Sequence, residues 1–309
     1  MGNNSARDLF FQYIIGHAQE YDVYIVAADL RGKVFDQLCE NSPSRFVQVG
    51  IAEQNMVAIA GGLALSGKRT FTYSIGAFLP TRALDQVRNA VSLMKLPVVM
   101  VAFEVGFGGG MYGATHFSTE DCSVISYCPG VEVLNLCDDG VAEEFAEYSL
   151  HAKSPIYLRI DRQSGLLEPC EKGIDWDKGF RVMKEGEGVV VLSYGYLMSL
   201  AFYAEFDMQP TIIDVFKRPF NEELLMGMLA PYDTIVVYEE QQVRAGIGSF
   251  LESLMFEHGI NKRVILMGID YHGEFPEECN NRGGWLEKYG ISQKDLIRTV
   301  NRAFRIENS

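Results

Sequence analysis

Short, almost wholly apolar runs rich in β-branched residues alternate with longer segments of helical period, and this alternation limits what the chain can fold into. The runs VYIVAA (23–28), FVQVG (46–50), TFTYS (70–74), PVVMVAF (97–103), VEVLNL (131–136) and PIYLRI (155–160) read as strands. Helical patterns fill the gaps at roughly 6–16, 52–66, 78–94, 117–127 and 140–152. A strand that is apolar without alternation has both faces covered, which is the pattern of a parallel sheet lying between helices. Parallel neighbours are joined by right-handed crossovers, so the first half predicts a doubly wound α/β domain.

Composition then shifts. Residues 163–187, QSGLLEPCEKGIDWDKGFRVMKEGE, are polar and Gly-rich without a sustained period. Beyond them VVVLSYG (189–195), PTIIDVF (210–216), TIVVYEE (234–240) and RVILMGI (263–269) alternate with helical stretches and predict a second α/β unit on its own sheet. The expected plan is α/β, with two doubly wound domains at 1–165 and 188–309, the second smaller, joined by a linker at 166–187. A length of 309 residues suits two such domains. The net charge of −14 argues against a polyanion-binding surface, so no nucleic-acid partner is expected. No apolar run reaches the ~18 residues of a membrane span, and the amino terminus lacks the plan of a signal peptide. Six cysteines scattered without CxxC spacing suit reduced thiols in a cytoplasm and argue against zinc, and the five histidines form no HxxxH pair. No metal-ligand set is predicted on this chain.

Several short motifs carry two readings each. GFGGGMYGATH (106–116) contains Gly108, Gly110 and Gly113 in GxGxxG spacing. A dinucleotide fingerprint would need that loop at the first strand–helix turn, whereas it follows a middle strand and runs through Tyr112 and His116 before any helix. The other reading is a mobile or tightly turned loop that presents His116 at the carboxyl end of a strand. Glu53 begins a segment, VGIAEQNMVAIAGGLALSG (49–67), that is otherwise apolar or small. It is either a first-turn acid favoured by the helix dipole or a group with a chemical role. Phe78 reads as core packing, Arg82 and Asp85 as an i, i+3 surface pair, and Glu239 and Glu240 as a solvated strand end.

Taken together, GIAEQNMVAIAGGLALSGK, AFLPTRALDQVRNAV, YGATHFSTED and SPIYLRIDR resemble the pyrimidine-binding domain of transketolases and deoxyxylulose-phosphate synthases. The likeness continues through VVVLSYG and VVYEEQQVRAGIGS into the family's C-terminal domain and covers nearly the whole chain. The preceding thiamine-diphosphate domain, with its GDG…N signature for Mg²⁺ and diphosphate, is missing. The resemblance therefore implies the C-terminal subunit of a split transketolase, paired with an N-terminal, diphosphate-binding subunit as an α2β2 heterotetramer. It implies transfer of a two-carbon ketol unit between sugars, with thiamine diphosphate and Mg²⁺ as cofactors, the latter held mainly by the partner. Glu53 matches the glutamate that hydrogen-bonds N1′ of the aminopyrimidine and favours its imino form. Phe78 matches the aromatic stacked on that ring, and Asp29 and Leu30 match the segment lining it. His116 matches the loop histidine that contacts substrate or aminopyrimidine.

Departures from the family pattern fall on the substrate side. Tyr112 stands where transketolases have a sugar-binding aspartate, Glu104 where they have a histidine, and Phe117 where glutamine usually follows the loop histidine. Arg162 matches a phosphate-binding arginine, yet an acid nearby opposes phosphate binding. The expected substrate therefore differs from ordinary pentose phosphates: nonphosphorylated, modified or carrier-bound. Decarboxylative carbon–carbon bond formation of the synthase type, a 2-oxo acid dehydrogenase β-subunit, and a non-catalytic regulatory subunit that kept the fold are the other readings.

Overall fold

A computed structural model describes residues 5–161 and 173–307. The chain divides into two compact units, Met1–Val105 with Ser123–Gly173, and Gly106–Cys122 with Ile174–Ser309.

In the first unit the elements alternate as the apolar runs dictate: α1 (Ala6–Gly16), β1 (Val23–Ala27), α2 (Asp36–Asn41), β2 (Phe46–Gln48), α3 (Glu53–Leu65) and β3 (Arg69–Ile75) come first. After the short turns α4 (Leu79–Arg82) and α5 (Leu84–Gln86) and a π-helical turn (Val87–Ser92) come β4 (Val98–Phe103), β5 (Glu132–Leu136), α7 (Ala142–Leu150) and β6 (Ile156–Ile160). A short helix, α6 (Asp121–Ser126), precedes β5. Within this unit the strands lie in the order β5-β6-β4-β3-β1-β2, all parallel. Every residue of β4 and β6 is buried, which explains their unbroken apolar runs. The chain winds outward from β1 to β2, then crosses back to β3 and continues the other way. The order thus reverses between β1 and β3, and ligands of open α/β sheets bind outside the carboxyl ends of strands at such a reversal.

Helix α3 buries Met56, Val57, Ala60, Gly61 and Ala64, positions recurring at helical spacing. Gly61 is required by proximity: a Cβ there would meet the Ala90 carbonyl oxygen at 2.7 Å. Beside β1 and β3, Phe11 packs edge-on against Phe35 (centroids 4.8 Å) and Tyr73 (5.3 Å). Each fully buried ring of this kind contributes about 1.5–3 kcal/mol by leaving water.

The second unit contains β7 (Arg181–Lys184), β8 (Val189–Ser193), α8 (Gly195–Phe202), β9 (Thr211–Asp214), β10 (Lys217–Arg218), α9 (Glu222–Leu229) and β11 (Thr234–Gln242). It continues with α10 (Ile247–Glu257), β12 (Arg263–Ile269), α11 (Arg282–Lys288) and α12 (Gln293–Glu307). Its five-stranded sheet has the order β12-β11-β8-β9-β7, with β7 antiparallel to β9 and the other pairs parallel. The stretch read from sequence as a linker therefore supplies an edge strand: β7 is half-buried and polar at both ends, so it leaves no apolar run.

Candidate active site

The carboxyl ends of β1, β3 and β4, with the turn after β2, bring together most of the residues singled out from sequence. Asp29 and Leu30 follow β1, and their turn is clamped by Gln48 at the end of β2. The Asp29 N–H donates to Gln48 Oε1 at 2.7 Å, and Gln48 Nε2 donates to the Leu30 carbonyl at 3.2 Å. Asp29 (φ 53°) and Glu104 (φ 56°), which follows β4, both sit in the left-handed region. Non-glycine residues rarely hold that conformation, which costs free energy that the surrounding structure must offset. Glu104 is buried. Tyr73, beneath them on β3, is raised by burial to about 12 and keeps its proton.

Glu53 occupies the first turn of α3 behind an Ala52 N-cap that offers no side-chain bond, so the helix's amino end is free to favour a negative charge. It is 4% exposed and lines a cleft of about 440 Å³ with Ile51, Ala52, Gln54, Asn55 and Arg82. Arg82 Nη1 donates to both carboxylate oxygens, at 3.1 and 3.2 Å. The same guanidinium lies 3.7 Å from the centroid of the Phe78 ring. The surface pair expected between Arg82 and Asp85 does not form; Asp85 instead accepts from Asn89 at 2.7 Å. Arg82 turns inward because a deeply buried carboxylate offers more than an exposed one. Sequence reasoning gave Arg82 only a surface pair and passed over Gln48. Both bonds join separate elements, and no local spacing signals them.

His116 and Tyr112 lie in the loop that groups with the second unit. Gly106 (φ 61°) and Ser118 pair as an antiparallel bridge, with N–H···O distances of 3.0 and 2.9 Å, and close the loop. Between them run two 3₁₀ turns, Gly110–Tyr112 and Ala114–His116, joined by Gly113 at φ 78°. The glycines serve this tight turning, and the dinucleotide reading fails because no long helix opens there. At the loop's base, Phe107 stacks on Tyr289 (5.6 Å) and Phe117 meets Trp285 edge-on (5.1 Å). A buried, aromatic-packed Phe117 explains why a polar residue is missing at that position. At the tip Tyr112 is exposed, its ring 5.0 Å from that of His116, and Thr115 Oγ1 lies 3.0 Å from His116 Nδ1. Burial raises the nearby Glu120 carboxyl, although the Thr119 hydroxyl and N–H donate to it. Arg162 lies outside the described residues.

Glu239 and Glu240 are not a solvated strand end. Glu239 accepts from the Tyr194 hydroxyl (2.6 Å) and from the N–H groups of Ile247 (2.9 Å) and Gly248 (3.0 Å), capping α10 from below. Glu240 is paired to Arg282, whose guanidinium also lies 3.7 Å from the Tyr196 ring centroid. Both acids are structural anchors. Among the described residues no group of three or more His, Cys, Asp or Glu is arranged to hold a metal ion, and no helix is long and apolar enough to cross a membrane.

Arg82 thus joins Glu53 and Phe78: its planar cation lies over the Phe78 ring and bonds the Glu53 carboxylate. Residues 17–166 match the family model of the transketolase pyrimidine-binding domain, which defines the class of the first half. Along its length the chain is 27% identical over 311 residues to a 6-deoxy-6-sulfo-D-fructose transketolase subunit of Clostridium sp. (strain MSTE9), covering 98% of this chain and 95% of that one. It is 30% identical over 282 residues to the 1-deoxy-D-xylulose-5-phosphate synthase of Neisseria gonorrhoeae (strain ATCC 700825 / FA 1090), covering 90% of this chain but spanning 43% of the synthase. Among solved structures, a split-gene transketolase described as an inactive β4 tetramer has a TM-score of 0.81 at 24% identity, with 98% of each chain covered. The chain belongs to the transketolase family and is a transketolase-type subunit. Dependence on thiamine diphosphate comes with that family.

Proposed function

We propose that this chain is the C-terminal subunit of a split transketolase and moves a two-carbon ketol unit between sugars or sugar derivatives. The observation that carries the proposal is the position of Glu53: a buried carboxylate at a helix start, opening on a cleft and linked through Arg82 to the Phe78 ring. When bound, thiamine diphosphate supplies the electron sink that lets a carbon–carbon bond beside a carbonyl break and re-form. Glu53 would share a proton with the pyrimidine ring, Phe78 would fix the ring's plane, and the Asp29–Leu30 turn would border it. His116, Tyr112, Glu104 and Arg162 are assigned to the substrate.

A partner subunit would bring the diphosphate and Mg²⁺, giving an α2β2 assembly. Supporting this, Ala58, Gly62 and Leu65 form an exposed, small and apolar stripe on α3, and Ile51 beside it is 74% exposed. A cytoplasmic location is part of the same proposal, supported by six cysteines scattered without CxxC spacing. The acid at Glu104 opposes a doubly charged phosphate more than a singly charged sulfonate, and the similarity to a 6-deoxy-6-sulfo-D-fructose transketolase subunit points to a modified sugar. The test is reconstitution with a diphosphate-binding partner, thiamine diphosphate and Mg²⁺. Cofactor-dependent ketol transfer is expected, with 6-deoxy-6-sulfofructose a better donor than xylulose 5-phosphate. Efficient turnover of xylulose 5-phosphate with ribose 5-phosphate would overturn the substrate assignment.

The 30% identity to a deoxyxylulose-phosphate synthase favours one second reading, decarboxylative bond formation. Release of carbon dioxide from pyruvate by the reconstituted complex would establish it in place of ketol transfer.

A further inference from the structure

We infer that Arg82 is a placeholder for the cofactor's pyrimidine ring, an inference that rests on the reading of Glu53 and Phe78 as the pyrimidine site. Its guanidinium is planar, positively charged and rich in N–H donors. It lies 3.7 Å from the Phe78 ring centroid and bonds both oxygens of Glu53, at 3.1 and 3.2 Å. Stacking on a phenyl face while donating to a buried carboxylate is the same pair of contacts that an aminopyrimidine would make there. Two planar groups cannot share one ring face and one carboxylate, so ring and arginine exclude each other.

Burial makes the placeholder useful. Glu53 is 4% exposed, and a carboxylate at that depth without a partner is costly. Arg82 satisfies it and keeps the cleft formed when no ring is present. The arginine side chain is itself 43% exposed, so solvent is open to it when it leaves. It sits on α4, a short turn between Phe78 and the residues that follow, and its long side chain can swing without moving the backbone. Arg82 is therefore a positioning residue. It holds Glu53 and Phe78 in place, and its displacement is part of cofactor uptake.

Displacing a resident group lowers apparent affinity by the fraction of chains whose site is open. Arg82→Ala, and Arg82→Met as a variant that keeps the packing stem, are compared with the parent in the reconstituted complex. Binding of thiamine diphosphate with Mg²⁺ is measured by calorimetry and stopped-flow quenching, and binding of inorganic pyrophosphate is the control. The expected result is a three- to tenfold tighter Kd for thiamine diphosphate with faster association in both variants, and no tightening for pyrophosphate. Arg82→Lys, which keeps charge but loses the planar fork, should fall between parent and alanine. Unchanged or weaker thiamine diphosphate binding in both variants would overturn the placeholder while leaving the pyrimidine site standing. A parent complex that takes up no thiamine diphosphate overturns the site assignment and the placeholder with it.

Discussion

The indole N–H of Trp285 donates to the carbonyl of Gly110 at 3.1 Å, fastening the His116 loop to α11. The contact requires glycine: a Cβ on residue 110 would meet Trp285 Cδ1 at 2.6 Å and Nε1 at 2.8 Å. Gly110→Ala should destabilise the second unit by about 1–3 kcal/mol, the usual cost of overpacking. Urea unfolding followed by tryptophan fluorescence would show it. An unchanged midpoint would mean the loop is not held by this contact.

Glu53→Gln keeps the shape of the side chain and removes its charge. Turnover of the reconstituted enzyme should fall by at least about 100-fold, the scale of lost proton-transfer catalysis. Assembly measured by sedimentation should be unaffected. Retained activity would remove Glu53 from the chemistry.

The Glu240 and Arg282 pair is 7% exposed on each side. Removing one partner leaves a buried charge alone, so Glu240→Leu or Arg282→Met should each cost about 3–5 kcal/mol. The double variant should recover most of that loss, because the uncompensated charge disappears. A double-mutant cycle by chemical denaturation tests this, and additive losses would contradict it.

Asp22 accepts hydrogen bonds from Lys68 and, at 2.7 Å, from Arg45, which hold its carboxyl below the usual range. A depressed acid contributes stability above its unfolded value and loses it as pH falls through the folded one. Stability of the parent should therefore decline below about pH 4, the ordinary aspartate value. In Asp22→Asn the decline should be shallower. Asparagine tolerates the left-handed backbone at this position (φ 51°), so the substitution isolates charge. Identical slopes of midpoint against pH would refute the linkage.

Sequence alone revealed the parts of this fold that depend on continuous burial. The runs at β4 and β6 could be read because every side chain there is covered. Edge strand β7 could not, since four half-buried residues carry no period. Helix α6 is shorter than its pattern suggests because the preceding residues turn tightly at Gly113 and pair back at Ser118. Glu239 and Glu240 look solvated in the chain's local pattern and are buried because Tyr194, two backbone N–H groups and Arg282 come from elsewhere. In the candidate site, motif likeness indicated Glu53 and Phe78, while the arginine between them followed only from three dimensions.

Asp29 and Glu104 follow β1 and β4 in a backbone shape that glycine adopts freely and other residues adopt rarely. A laboratory selection that rewards heat tolerance alone should drift toward glycine at both positions, gaining on the order of 1 kcal/mol at each. The same selection would strip two carboxylates from the carboxyl ends of β1 and β4. Robustness and chemistry thus pull these two codons in opposite directions, and a hardened variant of this enzyme is best sought elsewhere in the chain.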